Sequence, residues 1–149
     1  YVHFRNNIFQ TTGGVPLLKV TSGQISGSID LRFENNDYYS TGAAWKVLWG
    51  ASTYTSLTSF RVTGQEKRNG ANVGTSVNPM LAAPGTGQTF NNANNLHLLT
   101  AYKLQAASPL KNVAWNLKTM FAIDMGTRDY IGTTTPQSGA YDFGACEYV

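Results

Sequence analysis

The chain has 149 residues, 42% of them hydrophobic, which suits one domain with a sizeable core. Only 13% are charged, about half the usual ~25%, and the net charge of +3 comes from eleven scattered basic residues, which argues against a nucleic-acid partner. No apolar run approaches the ~18 residues of a membrane span, and a single cysteine, Cys146, rules out an internal disulfide and reads as a small buried residue near the C-terminus.

The first fifty residues state one motif twice. His3 to Val20 and Arg32 to Trp49 align at a constant offset: Phe4 with Phe33, Asn6-Asn7 with Asn35-Asn36, Phe9 with Tyr38, and Thr12-Gly13 with Thr41-Gly42. A period of roughly 20–50 residues built on strand-like segments predicts a solenoid in which successive copies stack. Val2–Phe9 is the first strand and its corner, because the Asn pair tolerates left-handed backbone. Stacking places Asn6 over Asn35 and Asn7 over Asn36 as an amide ladder, and Phe4 over Phe33 as an aromatic pair in the core. Arg5 over Glu34 is expected to be a surface ion pair worth about 0.5 kcal/mol.

Further along, Gly13-Gly14 turns into an apolar strand over Val15–Thr21, and Gly23 and Gly27 bracket a short turn. Ser28–Glu34 alternates, with Ile29, Leu31 and Phe33 on one face, and Trp45–Trp49 follows as a strand. Thr55–Gly64 predicts a short helix, capped by Thr55 or Ser56 and ended by Gly64. Gln65–Gly74 reads as an exposed polar loop. Thr75–Ala82, Leu96–Leu104, Leu117–Asp124 and Ala145–Val149 are expected to be strands, with a loop over Pro84–Asn95 and a turn-rich tail over Asp129–Gly144. The sum is an all-β, right-handed parallel β-helix of roughly four to five coils with one short helix and long loops, spanning residues 1–149 as a single domain. The chain is inside a strand pattern by Val2, so it is expected to be a processed form or the C-terminal portion of a longer protein.

The series Asn35-Asn36-Asp37-Tyr38-Tyr39, Leu57–Gly64-Gln65-Glu66, Asn78-Pro79-Met80-Leu81, Tyr102-Lys103-Leu104 with Ser108-Pro109, Asp129-Tyr130-Ile131-Gly132 and Tyr141–Tyr148 occurs in that order. It resembles the C-terminal part of secreted right-handed parallel β-helix proteins of the pectate-lyase-like superfamily, over nearly the whole chain. Asn78 departs from the resemblance where Asp is commoner, and Cys146 where an aromatic is commoner. The resemblance implies an extracellular protein with a groove along one face, in a family that holds polysaccharide lyases, glycoside hydrolases, phage tailspikes and non-enzymatic surface proteins. Fold does not choose among these.

Candidate chemistry is sparse. Lyases of that family use Lys or Arg as base, often with Ca²⁺, and here Arg5, Arg32 and Lys46 lie on the repeated copies, with Asp30, Glu34 and Asp37 as oxygen ligands for a hard cation. No spacing among them is diagnostic, so no resident cofactor is expected beyond that implied Ca²⁺. A hydrolase needs paired carboxylates, whereas Asp142 and Glu147 are expected to satisfy turn amides. His3 and His97 are the only histidines, too few for a His-rich metal site. Phe33 and Trp49 are expected in the core. Of the adjacent Tyr38 and Tyr39 only one can face inward, leaving the other to stack on a sugar. Arg32, Asp37, Tyr38 and Tyr39 are therefore the candidate substrate-binding set. Two functions follow: binding or processing of a polysaccharide, or a subunit of an extracellular fibre or adhesin that self-associates through an exposed N-terminal coil.

Overall fold

The computed structural model describes residues 1–87 and 91–149, and the chain divides into two compact units, Tyr1–Val77 and Asn78–Val149. In the first unit the two copies of the repeat form two triplets of strands. The first copy supplies β1 (Val2–Arg5), β2 (Ile8–Thr12) and β3 (Leu18–Val20); the second supplies β4 (Leu31–Glu34), β5 (Asp37–Thr41) and β6 (Val47–Trp49). β1 pairs with β4, β2 with β5 and β3 with β6, all parallel and in the register of the sequence repeat: Phe4 opposite Phe33, Phe9 opposite Tyr38, Val20 opposite Trp49. Asn6 and Asn35 turn the corner between the first two strands of each copy with φ of 59° and 56°, a backbone region that Asn enters more readily than most residues.

The rings pile up as the repeat dictates. Phe4 and Phe33 stack with centroids 4.5 Å apart, and Phe9 stacks on Tyr38 at 5.2 Å. Below them Tyr38, Trp49 and Tyr54 surround Phe60 edge-on or tilted. Leu17, Val47 and Leu57 complete the buried cluster. Trp49, expected in the core, packs against it while half-buried. Phe60 comes from α2 (Leu57–Phe60), which continues as a 3-10 turn over Arg61–Thr63 and stops at Gly64 in left-handed backbone. Ser56 accepts from the Ser59 amide in a reciprocal capping box, the device by which a short helix satisfies its first free amides.

The four-to-five-coil parallel β-helix is not what the chain forms. Among the described residues paired strands stack over two copies only, Thr75 adding one isolated parallel bridge to Asp37, and the described strands lie in small separate sheets of two or three strands. After Trp49 the chain reverses at Gly50, and β7 (Ser52–Tyr54) runs antiparallel to β6. β8 (Lys67–Arg68) and β9 (Ala71–Asn72) form a further antiparallel pair. The expected turn at Gly23–Gly27 is instead a five-residue helix, α1 (Ser22–Ser26), capped by Thr21 and Gln24. Ile29, expected on the face of Leu31 and Phe33, is 81% exposed because the strand begins only at Leu31.

Among the described residues of the second unit no ladder is longer than an isolated antiparallel bridge, as at Leu81–Leu104 and Ala114–Tyr141. The segment expected as a strand over Leu96–Leu104 is mostly 3-10 turn, Ala93–Leu98 and Thr100–Tyr102, opened by Asn92 accepting from the Asn94 amide. That expected over Leu117–Asp124 is a helix, α3 (Leu117–Phe121), capped by Asn116. Thr75–Ala82 and Ala145–Val149 hold no strand beyond bridges at Thr75 and Leu81. Part of the loop expected over Pro84–Asn95, at 88–90, lies outside the described residues. Carboxylates organise this unit's turns as expected: Asp142 accepts from the Asn112 and Tyr148 amides, and Glu147 from the Gln137 and Asp142 amides.

Candidate functional site

The two-copy stack has two unlike ends. At one end each strand carries a cover over at least part of its edge. β6 is covered by β7. β5 is covered by Thr75, whose amide donates to Asn36 O at 2.9 Å and whose carbonyl accepts from Tyr38 N at 3.0 Å. β4 is covered by a side chain: Gln65 Oε1 accepts from Phe33 N at 2.8 Å while its Nε2 donates to Leu31 O at 3.2 Å. The carboxamide of Gln65 thus stands in for one peptide group of a neighbouring strand, and the Glu66 amide adds a bond to Phe33 O at 2.7 Å. Gln65 and Glu66 are buried, in a stretch expected to be an exposed loop.

Glu66 also ends the amide ladder. Asn7 donates from its backbone N and from Nδ2 to Asn36 Oδ1, both at 3.0 Å. Asn36 in turn donates from Nδ2 to Glu66 Oε1 at 2.7 Å and from its backbone N to both carboxylate oxygens at 3.3 Å. Tyr38 Oη adds a third donor at 2.9 Å. An ionised carboxylate only accepts, so the chain of donors stops there. Asn36 Nδ2 also reaches Phe4 O, which fixes the orientation of the amide. Gly74 closes over this carboxylate: a Cβ there would lie 2.3 Å from Glu66 Oε2. Burial raises the Glu66 pKa, against the lowering effect of its Asn36 and Tyr38 hydrogen bonds, and burial likewise pushes the Tyr38 hydroxyl well up.

The other end is different. Among the described residues no strand pairs with the outer edge of β1, β2 or β3. Val2 and Phe4 are 44% and 37% exposed, although Phe33, the counterpart of Phe4, is buried. They line an apolar cavity of about 400 Å³ together with Leu18, Val20, Leu31 and Phe33.

The predicted substrate-binding residues do not share a surface. Arg32 is exposed and tied to Asp30, with Nε 2.5 Å from Oδ1. His3 holds the other oxygen of Asp30 at 2.8 Å, and His3 and Arg32 together keep that carboxyl below its usual range. Asp37 and Tyr38 are wholly buried, Tyr38 as a core ring, which leaves the half-buried Tyr39 as the ring available for stacking. Asp37 Oδ1 accepts from the Val77 amide at 3.0 Å, whereas Oδ2 is buried and has no partner among the described residues. Burial pushes this carboxyl up to about 7, against its hydrogen bonds to the Val77 and Tyr38 amides.

Nor do Asp30, Glu34 and Asp37 converge on a cation. Glu34 is taken by Arg5 at 2.7 Å and by Arg68 at 3.5 Å. The Arg5 and Glu34 side chains are 9% and 7% exposed, so this is a shielded pair rather than the surface pair expected from sequence. Among the described residues no group of three or more His, Cys, Asp or Glu side chains is placed to hold a metal ion, and no helix is long and apolar enough to cross a membrane.

Sequence reasoning found Asn7, Asn36, Phe4 and Phe33 through the repeat but missed Gln65, Glu66 and Gly74. One signal was present: stepping on from Asn36 by 30 residues lands on Glu66, a polar side chain at the next rung of the ladder. No family model, no curated protein and no solved structure matches this chain, so the pectate-lyase-like resemblance rests on its short motifs alone.

Proposed function

We propose that this chain is a strand-accepting interaction module, which receives an extended segment of a partner chain on the open edges of β1, β2 and β3. The observation that carries the reading is the contrast between the two ends of one stack. β4, β5 and β6 are sealed by Gln65, Thr75 and β7, while the equivalent edges of β1, β2 and β3 meet no strand among the described residues. Open edges beside exposed apolar rings are templates for strand addition, and stacked repeats need covered ends to stay soluble. The half-exposed Phe4 and Val2 supply the apolar contact, and the backbone supplies hydrogen bonds.

This reading keeps the assembly side of the sequence-based expectation. An open-ended fibre of identical copies is not supported, because propagation needs two open ends and one end here is sealed. The polysaccharide reading has no shared surface to rest on, since two of its four residues are buried. The test is hydrogen exchange of the intact chain with and without saturating extended peptides, including a generic alternating Thr/Val sequence. Protection of the β1 and β2 amides by at least one such peptide is expected. Unchanged exchange in β1–β3 with every peptide overturns the reading.

A further inference from the structure

One short run, residues 73–77, crosses the covered end of the stack and lies over two buried carboxyls. Val73 N donates to Glu66 O at 2.9 Å, and Arg61 Nη2 donates to Val73 O and Gly74 O at 2.6 and 2.9 Å. Thr75 bonds Asn36 O and Tyr38 N through its backbone, Ser76 Oγ donates to Tyr38 O at 2.7 Å, and Val77 N donates to Asp37 Oδ1 at 3.0 Å. Gly74 thus sits against Glu66 at one end of the run, and Val77 against Asp37 at the other.

The two carboxyls are provided for differently. Glu66 accepts from Asn36 N, Asn36 Nδ2 and Tyr38 Oη. Asp37 is as deeply buried, at 0% exposure, yet its Oδ2 has no partner among the described residues. Nor does a Lys, Arg or His among them pair with it, whereas the buried Glu34 is held by Arg5 and Arg68. A buried carboxylate with no counter-charge and one oxygen unmet is costly, so this placement favours the protonated form, with the proton on Oδ2. The surroundings do not offset that. The β2 residue in register is Ile8, and the run brings Ser76 and Val77, none of which titrates near neutrality. The ionisable groups next along are Tyr38 and Glu66, neither a cation, and Arg61 is turned to the carbonyls of Val73 and Gly74.

We infer that residues 73–77 are a pH-released strap, closed while Asp37 is neutral and opening from the Val77 end as Asp37 loses its proton. Opening brings water to Oδ2 and frees Asn36 O, Tyr38 N and Tyr38 O, the groups on the β5 edge that the strap covers. The device lies wholly at the covered end, apart from the edges of β1, β2 and β3. Burial holds the Asp37 carboxyl at about 7 under the strap, against 3.8 when unperturbed. Closure is therefore fully favoured below 3.8 and loses favour as pH rises through about 7, by no more than about tenfold in the opening equilibrium per pH unit.

Native-state hydrogen exchange of the intact chain between about pH 5 and 8, each rate divided by the intrinsic rate of its amide, reads this opening. The Thr75, Val77 and Tyr38 amides are expected to exchange through an opening insensitive to low urea. Its equilibrium constant rises about tenfold or more between about pH 5 and 7 and then levels off. The Leu17 and Gly50 amides, bonded to Lys46 O and Val20 O, exchange only with unfolding of the unit and respond steeply to urea. Asp37→Asn keeps an acceptor for Val77 and cannot ionise, and is expected to cut the rise to about threefold or less. Glu66→Gln, at the other carboxyl under the strap, retains most of it. If Thr75, Val77 and Tyr38 share the opening constant and urea dependence of Leu17 and Gly50, no strap moves on its own and the inference is overturned. If they open separately but equally at both pH values, or if the rise survives Asp37→Asn or vanishes in Glu66→Gln, Asp37 is not the trigger and the inference is overturned as well.

Discussion

Glu66 and Asp37 show how much hangs on single side chains. The Glu66 carboxylate is the shared acceptor for Asn36 N, Asn36 Nδ2 and Tyr38 Oη in a site closed to solvent. Glu66→Ala strands three buried donors, and a loss on the order of 3 kcal/mol is expected in urea unfolding; Glu66→Gln, which keeps an acceptor toward Asn36, loses less. Asp37 makes the opposite kind of prediction. Its carboxyl sits at about 7 in the folded chain against 3.8 when unperturbed, so the native state holds the proton more tightly than the unfolded one. The stabilisation is complete below pH 3.8 and is lost as pH rises through about 7, at no more than ~1.4 kcal/mol per unit. Asp37→Asn keeps an acceptor for the Val77 amide and cannot ionise. Urea midpoints across this range should fall with pH in the parent and fall less steeply in the variant.

At the scale of elements, the closed end works because backbone passes very near a buried charge. Gly74 has φ of 69° and no room for a Cβ beside Glu66 Oε2 and Asn36 O. Gly74→Ala therefore combines backbone strain with a forced shift of the ladder's last rung, and a loss of about 2 kcal/mol or more is expected by thermal or urea unfolding. The position also explains why Gln65–Gly74 misleads when read as sequence. Gln65 covers β4 with its side-chain amide and the two strands that follow are only two residues each, so the period-2 pattern that marks strands is missing. Segments 96–104 and 117–124 mislead in the other direction. Leu96 and Leu98 alternate as a strand would, yet they are 38% and 54% exposed. Only the end of the first segment meets another strand, at the Leu81–Leu104 bridge, and local capping by Asn92 and Asn116 sets the backbone elsewhere.

At the scale of the whole molecule, the chain carries its repeat in one compact unit and turn-built structure in the other. Cys146 offers a probe confined to the second. It is 5% exposed, and burial pushes its thiol pKa up, so it should resist thiol reagents in the folded state. Labelling kinetics in increasing urea should follow unfolding of residues 78–149; fast labelling without denaturant would contradict the buried placement. The sequence by itself determined the pairing of the two copies, the stacking of Phe4 on Phe33, the Asn corners and the capped helix. Each of these depends on residues a fixed distance apart or on neighbours along the chain. Only the tertiary structure decided that the described paired strands stack over two copies, that one end is covered by Gln65, Glu66 and Thr75, and that Asp37 and Tyr38 are interior. Those outcomes depend on which distant segment covers a free edge, and a side-chain amide that takes the place of a strand leaves no periodic trace in the residues around it.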